Sequence, residues 1–213
     1  MTPDQLVSPS TRELLDRVRA AARHEIRTGK PIARWHTQLV TLLGATLGVV
    51  LIAAAGLLLT GQATPAGVLA HLPQLGSLLG AAVVCAVAAL WPRVRGAGFM
   101  AVTALLAAAC IVALRAEPAI ASESAGWTCL VSHLGAGSIP VAVALWLLRS
   151  FAPSTGRALV AGAAAGTTGA MLGEMGCQQG AMHIAIWHLG AWVIIATVVV
   201  LVASRLKRRS YAP

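Results

Sequence analysis

The chain has 213 residues, of which 57% are hydrophobic and 11% charged, and its net charge is +9. A soluble globular domain carries about 25% charged residues, so the composition excludes one and points to an all-α, polytopic membrane protein. The basicity suggests nucleic acid as a partner, but the placement of the charges argues against that reading.

The first 36 residues are polar and lack the short basic stretch and apolar core of a cleavable signal peptide. The first apolar run is therefore expected to act as an uncleaved insertion signal. Residues 1–9 read as disordered. Ser10 followed by Glu13 marks a helix start, and Thr28-Gly29-Lys30-Pro31 marks its end. Between them Leu14, Leu15, Val18, Ala22 and Ile26 recur at helical spacing, with Arg12, Asp16, Arg19, Arg23 and Arg27 largely elsewhere around the helix. The spacing predicts one amphipathic helix over about 10–28. It is too small to bury a core of its own, so it must lie on a membrane surface or dock on a partner.

Six apolar runs follow, at about 38–59, 74–91, 97–114, 130–148, 158–173 and 184–203. Each approaches the ~20 residues that cross a bilayer. The domain plan is a tail over 1–36, a six-helix membrane domain over 37–204 and a basic C-terminal tail over 205–213. Fifteen of the sixteen lysines and arginines then fall on one side, and Arg115 alone falls on the other. That is the positive-inside pattern; it predicts cytoplasmic termini in a bacterial inner membrane.

Within this plan Trp35 and His36 read as interfacial anchors, and His71 as a further interfacial residue. Gly44 and Gly48 in the first run are expected to let helices approach closely, as are Gly162, Gly166, Gly169 and Gly173 in the fifth. Pro140 is expected to kink the fourth. No internal repeat, nucleotide-binding loop or soluble catalytic domain is visible in the sequence.

The chemistry concentrates in the polar link from Glu174 to His183, running on to Trp187-His188, between the fifth and sixth runs. Polar groups near bilayer depth are costly and usually have partners or a role. By the predicted topology Cys129 and Cys177 stand at the outer ends of two spans, facing an oxidising compartment. Cys85 and Cys110 lie inside spans, where cysteine packs as a small hydrophobe. Cys129 and His133 share a helical face at i, i+4, and His183, His188 and Glu174 lie in or near the same link. Two thiols and several imidazoles suit zinc or a softer metal, although the spacing matches no zinc motif. The thiols could equally form a disulfide, or the cysteines could stay unpaired beside interfacial histidines.

The order Cys129, Pro140, Trp146-Leu147-Leu148-Arg149, Pro153, the small-residue run 162–169, Cys177, His183 and Trp187-His188 resembles the NrsF-like family, negative regulators of sigma-F. The likeness covers roughly the C-terminal half. It implies a six-span bacterial anti-sigma factor whose cytoplasmic N-terminal segment holds an extracytoplasmic-function sigma factor. It also implies that Cys129 and Cys177 are the signal-responsive pair. The tail departs from the family pattern, offering only Glu13-Leu14-Leu15 and Pro31-Ile32 where that pattern has an Asp-Leu-rich helix followed by Pro-Val.

The expectation is thus a non-enzymatic membrane anti-sigma factor with a sigma factor and the lipid bilayer as partners and no direct nucleic-acid contact. Its tail would bind through Leu14, Leu15, Val18, Ala22 and Ile26. The sequence specifies no definite cofactor, but the outer cluster could hold a metal ion, with His133, Glu174, His183 and His188 as ligands or tuning groups. A membrane thiol oxidoreductase is a second reading, weakened by the absence of a Cys-x-x-Cys pair. A metal or solute transporter is a third, weakened by spans with almost no charge at mid-depth.

Overall fold

A computed structural model of the chain describes residues 9–28, 34–115, 126–149 and 154–205. The described residues are helical apart from short turns and contain no strand. They divide into two compact units, one ending at Ala33 and one beginning at Arg34. The expectations for residues 1–8 and for most of the loop between Arg115 and Trp127 fall outside the described residues.

In the first unit, helix α1 (Pro9–Thr28) forms where the periodicity predicts one. Its solvent face carries Arg17–Glu13 at 2.6 Å and Arg19–Asp16 at 3.7 Å, pairs four and three residues apart. Such exposed pairs contribute a few tenths of a kcal/mol each. Leu14, Leu15 and Val18 are exposed, so an apolar stripe stands open on this helix. The side chains of Ala22 and Ile26 lie outside the described residues.

The second unit is a helical bundle. Its helices are α2 (Trp35–Leu59), α3 (Pro65–Ala70), α4 (Leu72–Leu90), α5 (Val102–Leu114), α6 (Gly126–Leu148), α7 (Thr155–Gly176), α8 (Ala181–His183) and α9 (Leu189–Arg205). A 3-10 turn over Ala97–Ala101 leads into α5, and a π turn over Ile184–His188 joins α8 to α9. Five helices are long and apolar enough to cross a membrane: Trp35–Leu59, Leu72–Leu90, Ala97–Leu114, Gly126–Leu148 and Ala181–Arg205. At 1.5 Å per residue the longest of these reach ~37 Å, beyond the ~30 Å hydrocarbon core. Their outward faces carry Leu51, Ile52, Leu59, Leu105, Ile139 and Leu201 in the open. Soluble monomers rarely expose so continuous an apolar surface. This is a membrane protein.

Helix α7 is the exception among the long helices and the centre of the bundle. Rich in glycine, alanine and threonine, it is not among the five apolar helices, because its surface is covered by α2, α4, α6 and α9 rather than by lipid. Nearly every residue from Ala158 to Glu174 is buried. Its glycines work in two ways. At Gly162 a Cβ would stand 2.7 Å from the Cα of Ala196, so this glycine brings two backbones together. At Gly166, Gly169 and Gly173 the space is filled by the rings of Trp192, His133 and His188. Trp192 Nε1 donates to the Ala163 carbonyl at 2.7 Å and anchors α9 on α7. Gly44 and Gly48 do not bring helices together as expected: a Cβ at either position would meet nothing within 4 Å. Their face of α2 is the outward one, where small size serves no packing purpose.

Beyond the sequence expectation lies α3, capped by Thr64, whose hydroxyl accepts from the Gly67 N–H at 3.1 Å, with Pro65 in the first turn. It follows the turn at Gly61, which adopts φ +72°, a conformation that favours glycine.

Candidate functional site: a thiol and imidazole cluster at one end of the bundle

The site assembles from three elements. Cys129 sits in the first turn of α6, Cys177 follows the last residue of α7, His183 immediately precedes the π turn and His188 is its last residue. One donor atom from each of the four lies within 4.8 Å of the others. Cys129 Sγ and His183 Nε2 are 3.4 Å apart, and the His183 and His188 rings are 5.7 Å apart. All four cysteines are free thiols. Such a donor set can hold a metal ion.

The π turn makes the set possible. At 3.6 residues per turn, residues five apart diverge by about 140° around a helix. Here the Leu189 N–H bonds to the Ile184 carbonyl, five residues back, and this wider turn returns His183 and His188 to one side. Gly126 supports the same corner, since a Cβ there would meet the Trp187 ring. His188 is 5% exposed, and neither of its ring nitrogens has a hydrogen-bond partner.

Two expected members stand apart. His133 lies one turn deeper on α6, where its Nε2 meets the Gly166 carbonyl at 3.1 Å and its ring packs on Gly169. It faces the cluster only through His188, at 5.9 Å between ring centroids. Glu174 is turned the other way, with its Oε2 accepting from Arg115 Nη1 at 3.1 Å. Both side chains are almost wholly enclosed, at 3% and 1% exposure.

Arg115 was visible in the sequence only as an unusual charge, yet it organises this end. Besides binding Glu174 it donates through Nε to the Gln179 carbonyl at 2.9 Å and through Nη2 to the Cys177 carbonyl. One guanidinium thus fastens the segment that carries Cys177 to the ends of α5 and α7. His71 completes the network from the start of α4, with its Nδ1 3.5 Å from Glu174, too long for a good hydrogen bond. Burial, and then the Arg115 charge, lower the His71 pKa. Burial pushes the Cys177 thiol up, against the pull of a hydrogen bond from the Gln179 backbone. A cavity of about 310 Å³ opens beside Cys177, with Gln62, Thr64, His71, Arg115 and Glu174 on its other walls.

Over 200 residues the sequence is 44% identical to the carotenogenesis protein CarR of Myxococcus xanthus, covering 93% of this chain and 90% of that one. The chain belongs to the CarR family. With 93% of the chain aligned, the CarR likeness takes in the whole stretch from Cys129 to His188. No family model matches the sequence, and no solved structure matches the chain.

Proposed function

We propose that this CarR-family protein is a membrane-bound anti-sigma factor. It crosses the bacterial inner membrane six times, α7 being the fifth span in chain order and joining the five apolar helices, with both termini in the cytoplasm. Helix α1 holds an extracytoplasmic-function sigma factor there, and a chemical change at Cys129 and Cys177 on the far side releases it. The observation that carries this reading is the open stripe of Leu14, Leu15 and Val18 on a helix that belongs to a separate unit from the bundle. An apolar stripe flanked by its own ion pairs suits a protein partner better than bare anionic lipid, because Glu13 and Asp16 oppose the lipid charge. The name of the CarR relative, a carotenogenesis protein, fits a regulator of pigment formation. A switch of this kind needs a ligand or modification that favours one of two helix arrangements.

The test is Leu15→Asp with Val18→Asp in the full chain. Burying each large apolar side chain contributes roughly 1.5–3 kcal/mol, so the pair should lose sigma binding by more than about 100-fold and switch on the target genes while the protein still inserts. Full repression by that variant at normal protein levels would refute docking through α1. Within the bundle, Cys129→Ser and Cys177→Ser should each lock the response in the same direction, with the double variant no worse than either. Independent, additive effects would separate the two thiols.

A further inference from the structure

We propose that Cys129, Cys177, His183 and His188 form a closed, four-coordinate site for a thiophilic cation of the zinc class. The proposal goes beyond the sigma-factor reading and does not depend on it.

Geometry comes first. Zinc bound at about 2.3 Å to sulfur and 2.0–2.1 Å to nitrogen needs donors roughly 3.3–3.8 Å apart at tetrahedral angles. The Cys129–His183 pair already stands at 3.4 Å, and all the donor atoms lie within 4.8 Å of one another, so a contraction of about 1 Å or less closes the shell. The second observation is His188. It is 5% exposed and hydrogen-bonded at neither ring nitrogen, whereas buried polar atoms in native proteins nearly always have a partner. A cation among these donors supplies it. Third, the backbone departs from α-helical geometry at the one place where the departure brings the two histidines together, and π turns concentrate at functional sites.

Charge agrees with this. Each thiol gives up its proton to the solvent when it binds, so a divalent ion, two thiolates and two neutral imidazoles sum to zero. A neutral complex suits a half-buried site at the end of a membrane bundle. A carboxylate ligand would leave it negative, and Glu174 is withheld by Arg115. His133 is likewise committed, to the Gly166 carbonyl. Thiolate and imidazole donors select zinc-like ions over magnesium or calcium, and four protein ligands leave no position for a reacting water. The ion would therefore tie together α6, the Cys177 segment and the last helix rather than catalyse a reaction.

The experiment uses the full chain in detergent without any partner, stripped of metal and titrated with Co(II) as a spectroscopic probe and with Zn(II). The expected result is one ion per chain, with the visible bands of tetrahedral, thiolate-bound cobalt that Zn(II) displaces. Cys129→Ser, Cys177→Ser and His188→Ala should weaken Zn(II) by more than the roughly 10–100-fold that outer-shell changes cost. Cys85→Ala and Cys110→Ala should bind as the parent does. Thermal unfolding of the parent chain gives a second readout, independent of how any variant folds: Zn(II) should raise its Tm and a chelator should reverse the rise. An octahedral cobalt spectrum, binding unchanged by loss of both outer thiols, or no Zn(II)-dependent Tm would overturn the proposal. Since no sigma factor is present, none of these results bears on the role of α1.

Discussion

Two arginines hold opposite ends of this bundle, and they do so differently. Arg157, in the first turn of α7, donates to the carbonyls of Ala89, Trp91, Pro92 and Val94, at 3.0–3.3 Å. It closes the C-terminal end of α4, where helix carbonyls lack partners and a cation is favoured. Nearby, Trp35 and Trp91 stack with ring centroids 5.5 Å apart. Arg115, at the other end, also takes backbone carbonyls but adds a buried carboxylate. The first arrangement lies partly in the open, where water can replace a lost donor. The second is more enclosed, with the Arg115 and Glu174 side chains 3% and 1% exposed. One end of the molecule is a brace, and the other is a charged lock built against the segment that carries Cys177.

The largest difference should appear on removing each cation. Arg115→Ala strands Glu174 as a buried charge and should cost about 3–5 kcal/mol, whereas Arg157→Ala should cost on the order of 1–2 kcal/mol as its carbonyls hydrate. Denaturation in detergent measures both, and equal losses would erase the distinction. A sharper form neutralises the partner too. Arg115→Met with Glu174→Gln should be more stable than Arg115→Met alone, because the stranded charge is gone.

Next in size are the glycines of α7 that face the two ends. Gly173→Ala would push against the His188 ring and Gly162→Ala against the backbone of Ala196, each costing about 1–3 kcal/mol as overpacking. Gly173→Ala should also weaken Zn(II) binding, and Gly162→Ala should not. Gly48→Ala, in open space, should change stability by less than about 0.5 kcal/mol.

The smallest effect is pH-dependent and confined to the lock. His71 faces Arg115 and Glu174, and its pKa is lowered in the folded chain. Its contribution is complete above the ordinary histidine pKa and declines as pH falls below it, because the unfolded chain then binds the proton more readily. Stability measured from pH 7 to pH 5 should fall slightly more for the parent chain than for His71→Gln.

The helices were legible in the sequence because hydropathy and helix punctuation are local: α1 and the apolar runs stand within a few residues of their expected limits. Helix α3 was missed although Thr64-Pro65 carries a start signal, because six residues give no periodicity. The cluster was legible as a list of side chains but not as a geometry. Choosing His183 and His188 together, and setting His133 and Glu174 aside, depends on a π turn and on a salt bridge across 59 positions of sequence. One clue to that bridge was available. A carboxylate in a membrane helix needs a cation, and the topology left Arg115 as the counter-charge on that side. Gly44 and Gly48 show the reverse limit: a small residue in a span does not by itself reveal whether protein or lipid covers it.

The π turn has a further consequence for the last helix. A stretch with one residue more per turn than its neighbours acts as a phase offset between the segments on either side. His183 and His188 are aligned by that offset, while Trp192 and Ile195 are set by the grooves at Gly166 and Gly137. Were the turn to tighten to ordinary α-helical winding with the lower segment held in its grooves, the upper segment would rotate by about 100°, one residue's worth, and the two imidazoles would part. The thiol end and the body of the helix are thus two gears on one shaft, meshed through a single tooth.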